Sequence, residues 1–261
     1  MSGIRGRRIV VVGASAGIGR AFALRAAAAG GHVVLAARRK DLLDAVIADA
    51  GAGADDGSGT GVALDVCDPA SRAAFVAVLR GGAPVDLVLV TVGVADLRPL
   101  SDTDEERWWT MLTTNLVGVT RLLEEVRPVL APTGILAVMS SEIVRQPRMG
   151  LVPYAATKAG LEAVLSGLRV EHAGLRVSCI VVGATVPTEF GTGFEAEHLV
   201  PAMASWERHG RFQQEFMVTD DVANVLVDVY ATALQHPGVG VEEITLRSPS
   251  PLLGIEAPRK S

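Results

Sequence analysis

The chain has 261 residues, enough to bury one large α/β core and short of a comfortable second domain. Nearly half of the residues (49%) are apolar and only 4% aromatic, which suits Ala-rich helices packed on Val-rich strands. The formal charge of -5 leaves no basic surface for nucleic acid and no polybasic patch for a membrane.

The two cysteines, Cys67 and Cys179, have no metal-ligand spacing, so no metal is expected. No stretch approaches the ~18 apolar residues of a spanning helix. The cationic start, Met1 to Arg8, runs into Ile9-Val10-Val11-Val12 as a signal peptide would. The apolar run breaks at Gly13, however, and no small-residue cleavage site suits it. A soluble, cytoplasmic protein is expected.

In chain order, Arg8 to Val12 reads as a strand ending in Gly13-Ala14-Ser15-Ala16-Gly17-Ile18-Gly19. A strong helix former follows from Arg20 and stops at Gly30-Gly31. Strand, glycine loop and helix N-terminus make an anion site: missing Cβ atoms admit a pyrophosphate, and free first-turn N–H groups bind it. The second strand, His32 to Ala37, ends without a carboxylate and meets Arg38-Arg39-Lys40. An acidic residue there would take a ribose 2′-hydroxyl, whereas arginine suits a 2′-phosphate. Arg38 is assigned to that phosphate and NADP is favoured over NAD, with Arg39 and Lys40 beginning the next helix.

Residues 51–61 read as a flexible surface connection. A third strand, Val62 to Val66, leads to a helix with Pro69 at its start. Val85 to Gly93 is an apolar strand, as one buried on both faces should be. One long helix is predicted over about 102–126, capped by Ser101 or Asp102, with the polar Asn115 inside it. A strand ends at Ser141, and a helix follows from about Tyr154. Leu175 to Gly183 is the sixth strand.

Residues 187–218 then break the rhythm with Phe190, Phe194, Trp206, Phe212 and Phe216 among charges. They read as a lid over the substrate pocket, too long for an ordinary connection, or alternatively as an oligomer contact. A last helix begins at Asp220 with Thr219 as cap, and a last strand runs from Val241 to Arg247. The proline-containing tail is expected to be loose. The alternation predicts one domain, a Rossmann-type doubly wound parallel sheet of about seven strands.

Ser141, Tyr154 and Lys158 carry the chemistry. Tyr154 and Lys158 are four residues apart on the opening turns of a helix, hence on one face. A lysine ammonium beside a phenol lowers the phenol pKa from ~10 toward the working range of a general acid or base. Ser141 would present its hydroxyl at a strand's C-terminal end, where open α/β sheets keep their ligands.

Together these features resemble the short-chain dehydrogenase/reductase family over nearly the whole chain. The resemblance rests on the glycine loop, Leu64-Asp65-Val66, Gly93, Asn115, Ser141, Tyr154 with Lys158, and Gly183. The thirteen residues from Ser141 to Tyr154 (154 − 141) also agree. It implies Tyr154 as general acid or base and Ser141 as hydrogen-bond donor to the substrate oxygen. Lys158 would lower the tyrosine pKa and hold the nicotinamide ribose, and Asn115 would hold a water linking Lys158 to solvent. Gly13, Ser15, Gly17, Ile18 and Gly19 would cradle the pyrophosphate. Asp65 and Val66 would lie along the adenine, Gly93 near the adenosine ribose, and Gly183 and Thr188 near the nicotinamide. A homo-oligomer, a tetramer or dimer, is implied, with a small carbonyl or alcohol as substrate.

The chain departs from the family pattern at Val12, at Ala16 (no basic residue), at Val90-Thr91-Val92 in place of Asn-Asn-Ala, and at Val182 in place of proline. Thr91 is expected to substitute in part for the lost asparagine. Glu142 and Arg145 either recognise a polar substrate group or face water, and His198 and His209 lie in the lid. Two other readings stand beside the oxidoreductase: a non-catalytic NADP(H)-binding regulator, and a non-redox lyase or isomerase on the same scaffold.

Overall fold

The computed structural model describes residues 3–51 and 59–254. The centre of the glycine-rich connection and the last seven residues, Pro258 included, lie outside the described residues. Seven parallel strands form the central sheet: β1 (Arg8–Val12), β2 (His32–Ala37), β3 (Thr60–Ala63), β4 (Val85–Val90), β5 (Leu130–Ser141), β6 (Arg176–Val182) and β10 (Glu243–Leu246). Their spatial order is β10-β6-β5-β4-β1-β2-β3, so the chain order reverses at β1/β4. Both the strand count and the doubly wound class agree with the sequence reading.

The period-2 rule builds two cores from these strands. Ile9, Val11, Val33, Leu35, Leu87, Leu89 and Ala137 point to one face. There they meet α1 (Gly17–Ala28), α2 (Lys40–Gly51) and α8 (Thr219–Gln235). Val10, Val12, Val34, Val88, Val90, Leu136 and Val138 point to the other. They meet α3 (Pro69–Arg80), α5 (Val119–Val126) and α6 (Val152–Glu171). Burial on both faces is why the strands read as continuous apolar runs.

Local chemistry sets the helix ends. Asp68 caps α3, its side chain accepting from the Ala70 amide, with Pro69 in the first turn. The long helix predicted over 102–126 is divided. Ser101 and Asp102 lie in a 3₁₀ turn, and α4 (Glu105–Leu112) is capped by Asp104, which accepts from the Arg107 amide at 2.8 Å. A π-helical turn, Thr113–Gly118, separates α4 from α5. Thr219 is the first residue of α8 rather than its cap.

Residues 187–218 carry α7 (Ala196–Arg208), β8 (Phe212–Gln213) and β9 (Met217–Val218), and β9 pairs in parallel with β7 (Thr185–Val186). The tail is not loose where it is described. β11 (Leu252–Leu253) pairs antiparallel with β8, and Gln213 Nε2 donates to the carbonyls of Ser248, at 3.3 Å, and Ser250. The buried Gln213 amide needs acceptors, and the tail backbone supplies them.

Phe22 on α1 is fully buried in the core shared with α8. Phe22→Ala is expected to lower unfolding free energy by about 3–5 kcal/mol in urea titration, through lost burial and the cavity left behind.

Candidate active site

The site lies along the C-terminal ends of the parallel strands, beside the β1/β4 reversal. β1 pairs with β2 and β4 on either side up to Val12, opposite Ala36 and Val90, and the glycine loop leaves between them. Gly13 adopts φ +91 and Gly17 φ +55, the left-handed region that favours glycine. A methyl at Gly13 or at Gly19 would overlap the Thr91 hydroxyl. That hydroxyl donates to the carbonyls of Val12 (3.0 Å) and Gly13 (3.2 Å), so Thr91 braces the loop from β4 as the sequence led us to expect.

α1 starts at Gly17 with Ala16 as its cap residue, and no side chain caps it. Its first-turn amides are oriented for an anion. Ile18 and Gly19 are buried in this turn and Ser15 is half-buried before it.

Beyond β2, Arg38 is exposed. Arg39 turns back onto the glycine loop: its Nη2 donates to Ser15 Oγ at 3.2 Å and pairs with Glu189 at 2.7 Å. Sequence reasoning placed Arg39 only at a helix start. Asp65 accepts from the Cys67 amide at 2.9 Å, and Val66 is buried against the sheet. The Gly183 amide donates to the Leu246 carbonyl at 2.8 Å. Thr188 lies 3.6 Å from the position a methyl on Gly17 would take.

The catalytic candidates meet at the end of β5. Ser141 is buried at the last position of the strand, and Tyr154 and Lys158 are buried on α6. Lys158 Nζ donates to the carbonyls of Met139 (2.9 Å) and Val92 (3.2 Å), and sits 6.0 Å from the Tyr154 ring centroid. Gly93 keeps this approach open, since a methyl there would be 3.3 Å from Nζ.

Two expectations change here. The phenol pKa of Tyr154 is raised, not lowered: burial disfavours the phenolate, and the hydrogen bond with Ser141 opposes this only in part. The lysine charge is spent on two backbone carbonyls. Burial also pushes Lys158 down to about 8, against the pull of neighbouring Cys179 and Glu162. The second change concerns Asn115. Its Nδ2 donates to the Val94 carbonyl (2.8 Å) and to Thr157 Oγ1 (3.0 Å), and its Oδ1 accepts from the Val94 amide (2.7 Å). Both amide hydrogens are taken by protein, so the side chain braces the loop after β4 against α6 instead of holding a water through them.

Glu142 and Arg145 are occupied as well. Glu142 is buried, paired with Arg148 and, at 2.9 Å, with Arg247, while Arg145 pairs with Glu243. Phe190 packs edge-on to Tyr154 at 5.1 Å and to Phe194 at 5.5 Å. Leu97, Ile143, Leu151, Ala202, Leu199 and Trp206 complete an apolar cluster around the phenol.

The ligand atoms of Glu195, Glu197 and His198 converge within 4.8 Å. Arg98 occupies that cluster, donating to His198 Nε2 and to Glu195 at 2.8 Å each, which opposes a cation. His209 Nδ1 is held by the Ser205 carbonyl at 2.7 Å. Among the described residues no helix is long and apolar enough to cross a membrane.

Residues 7–198 match the family model described as short chain dehydrogenase, and the chain belongs to that family. Serine 3-dehydrogenase of Agrobacterium fabrum is 31% identical over 91% of this chain and 92% of its own length. Glycine betaine reductase ATRR of Emericella nidulans is 29% identical over 93% of this chain, which spans only 19% of that longer protein. Among solved structures, the alcohol dehydrogenase of the archaeon Thermococcus sibiricus, complexed with 5-hydroxy-NADP, superposes with TM-score 0.78. It is 26% identical over 93% of this chain and 97% of its own.

The depressed Lys158 pKa predicts a pH signature. Between about 8 and the ordinary 10.5 the unfolded chain keeps the lysine proton that the folded chain has released, so raising pH through this window favours the folded state. Urea unfolding at pH 7.5, 9 and 10.5 is expected to show wild type gaining stability relative to Lys158→Met as pH rises.

Proposed function

We propose that this short-chain dehydrogenase is an NADP(H)-dependent oxidoreductase that interconverts a ketone and a secondary alcohol. The observation carrying this reading is the meeting of Ser141, Tyr154 and Lys158 at a sheet edge that also holds a braced glycine loop and an uncapped helix N-terminus. The residues present fit a dinucleotide: the loop keeps its tight turn because a methyl at Gly13 or Gly19 would collide with the Thr91 hydroxyl, and the α1 amides are free of side-chain caps. Thr91 answers the main feature that favoured a non-catalytic regulator, because its hydroxyl restores the brace lost with the family's asparagine.

A bound dinucleotide supplies hydride chemistry; the chain supplies orientation and the proton. The Gly13–Gly19 loop and α1 amides would hold the pyrophosphate, Asp65, Val66 and Gly93 the adenosine, and Gly183 and Thr188 the nicotinamide end. Arg38, exposed past β2 where no carboxylate stands, would take a 2′-phosphate, and the NADP analogue in the Thermococcus relative supports the same choice. Ser141 would donate to the substrate oxygen. Tyr154, kept neutral by burial, would give that oxygen its proton in reduction. Lys158, pushed down to about 8 by burial, would exchange its proton close to neutrality and would hold the ribose.

Phe190, Phe194, Leu97, Ile143 and Leu151 around the phenol favour a partly hydrophobic substrate, with residues 187–218 as its lid. Trp109 and Val117 on the α4–α5 side and Val152 and Val170 on α6 are exposed, and a homo-oligomer pairing these helices would cover them.

Tyr154→Phe is expected to lower NADPH-linked reduction of hydrophobic ketones by roughly 10²–10⁴-fold while NADPH binding, read by cofactor fluorescence, stays within about twofold. Retained turnover would remove Tyr154 as the proton donor. Arg38→Ala is expected to weaken NADPH roughly tenfold or more and leave NADH binding little changed, as the loss of one charge-assisted phosphate contact requires.

A further inference from the structure

Three consecutive residues link the glycine loop to the catalytic candidates. Thr188 lies against Gly17 of the glycine loop. Glu189 takes both of its oxygens to Arg39 Nη2, at 2.8 and 2.7 Å, while the same nitrogen donates to Ser15 Oγ at 3.2 Å. Phe190 lies edge-on to the ring of Tyr154 at 5.1 Å. One end of this strap is thus pinned to a cation on the phosphate loop, and the other covers the candidate proton donor.

We propose that Glu189 is a cofactor-specificity residue: it holds Arg39 on the glycine loop until a 2′-phosphate, taken by Arg38 and Arg39 together, draws the guanidinium away. Its release then frees Phe190 from Tyr154. The inference rests on the NADP(H) reading above and adds a residue and a binding order to it.

The physics of the pair allows the exchange. Arg39 and Glu189 keep 46% and 54% of their side chains exposed, so the bond is a weak surface pair and a competing anion can displace it. A 2′-phosphate carries more charge and more acceptor oxygens than a carboxylate, and a guanidinium can pair with it through two nitrogens, whereas Glu189 engages Nη2 alone. A 2′-hydroxyl offers neither, so NADH leaves Glu189 in place. With Ala16 where a basic loop residue would stand, Arg39 is the cation that reaches Ser15. The strap is able to move: Phe190 is 40% exposed, and the chain continues through Gly191 and Gly193, the latter with open space where a side chain would be. The consequence is ordered binding, in which the phosphorylated cofactor enters first and uncovers Tyr154 for substrate.

The test uses the full-length protein with 2′,5′-ADP, which has the 2′-phosphate but no nicotinamide, and 5′-AMP, which lacks both. Binding is measured by calorimetry and backbone amide exchange is followed over 188–194. In wild type, 2′,5′-ADP should speed exchange of this segment several-fold and 5′-AMP should not. In Glu189→Gln the segment should exchange fast without ligand, 2′,5′-ADP should add nothing, and the preference for 2′,5′-ADP over 5′-AMP should rise roughly two- to fivefold. If 2′,5′-ADP binds but leaves exchange unchanged or slows it, or if Glu189→Gln leaves the preference as it was, the strap assignment is overturned and the NADP(H) reading stands. If 2′,5′-ADP binds no better than 5′-AMP, both fall together.

Discussion

The structure turns on one buried ammonium. Lys158 reaches from α6 to the carbonyl of Met139 in β5 and to that of Val92 just past β4, so a single charge ties a helix to two strand ends. Taking an ammonium out of water is costly, and burial accordingly pushes its pKa down to about 8. Nothing in the packing of two valine-rich cores requires it. The β4–β5 pairing stops at Val90 opposite Val138, and the two carbonyls the charge binds, of Met139 and Val92, lie just past that last pair. Tyr154, one turn earlier on the same helix, inherits its position from this tie.

The glycine loop and the segment after β4 are held by a different economy of contacts. Thr91 does with one hydroxyl what the family pattern assigns to an asparagine, and it succeeds because Gly13 and Gly19 have no side chains in its way. Asn115 works in the same manner from the far side, matching the Val94 amide and carbonyl as a neighbouring strand would. Its pull coincides with the π-helical turn between α4 and α5, where Gly118 comes so close to the Val66 carbonyl that a methyl would sit 2.7 Å from it. Local widening of a helix at such a point is how a side chain is aimed out of the regular spiral.

These contacts mark the boundary of what the sequence makes legible. Strands and helices were readable because alternation and 3.6-residue spacing are local signals, and the glycine loop was readable because its steric demand falls on its own residues. The division of the long helix was not, since the contacts that meet it there, Val94 on Asn115 and Val66 beside Gly118, come from other elements, Val94 21 residues away in sequence. The tail read as loose for the same reason: its partner is Gln213, 37 residues before Ser250, and two short strands carry no pattern of their own. The spacing of Tyr154 and Lys158 correctly put both on one face, yet the phenol pKa went the other way. Burial of the phenol and the carbonyls that claim the lysine belong to other elements, and no window of sequence contains them. Arg39 is the same case at greater range, its partner Glu189 lying 150 residues on.

The buried charges around Ser141 follow from the same circumstance as Lys158. Glu142 is 4% exposed and Arg148 8%, one residue and seven residues past the end of β5, and Arg247 joins them from the exit of β10. Gly183, at the exit of β6, closes the group: a side chain there would begin 3.1 Å from the Glu142 carboxylate. Three strand ends are therefore gathered on one carboxylate, and Arg148 carries the link on to α7, stacking on Trp206 at 5.9 Å. The Trp206 indole in turn donates to the Met149 carbonyl at 2.9 Å. Apolar packing is non-directional and would leave the strand ends free to slide. Paired charges and hydrogen bonds fix distances and angles, and the role proposed for Ser141 would need that precision. This accounts for a sheet whose middle is almost wholly Val, Leu, Ile and Ala, and whose C-terminal edge is held by Lys158, Asn115, Thr91, Glu142 and two arginines.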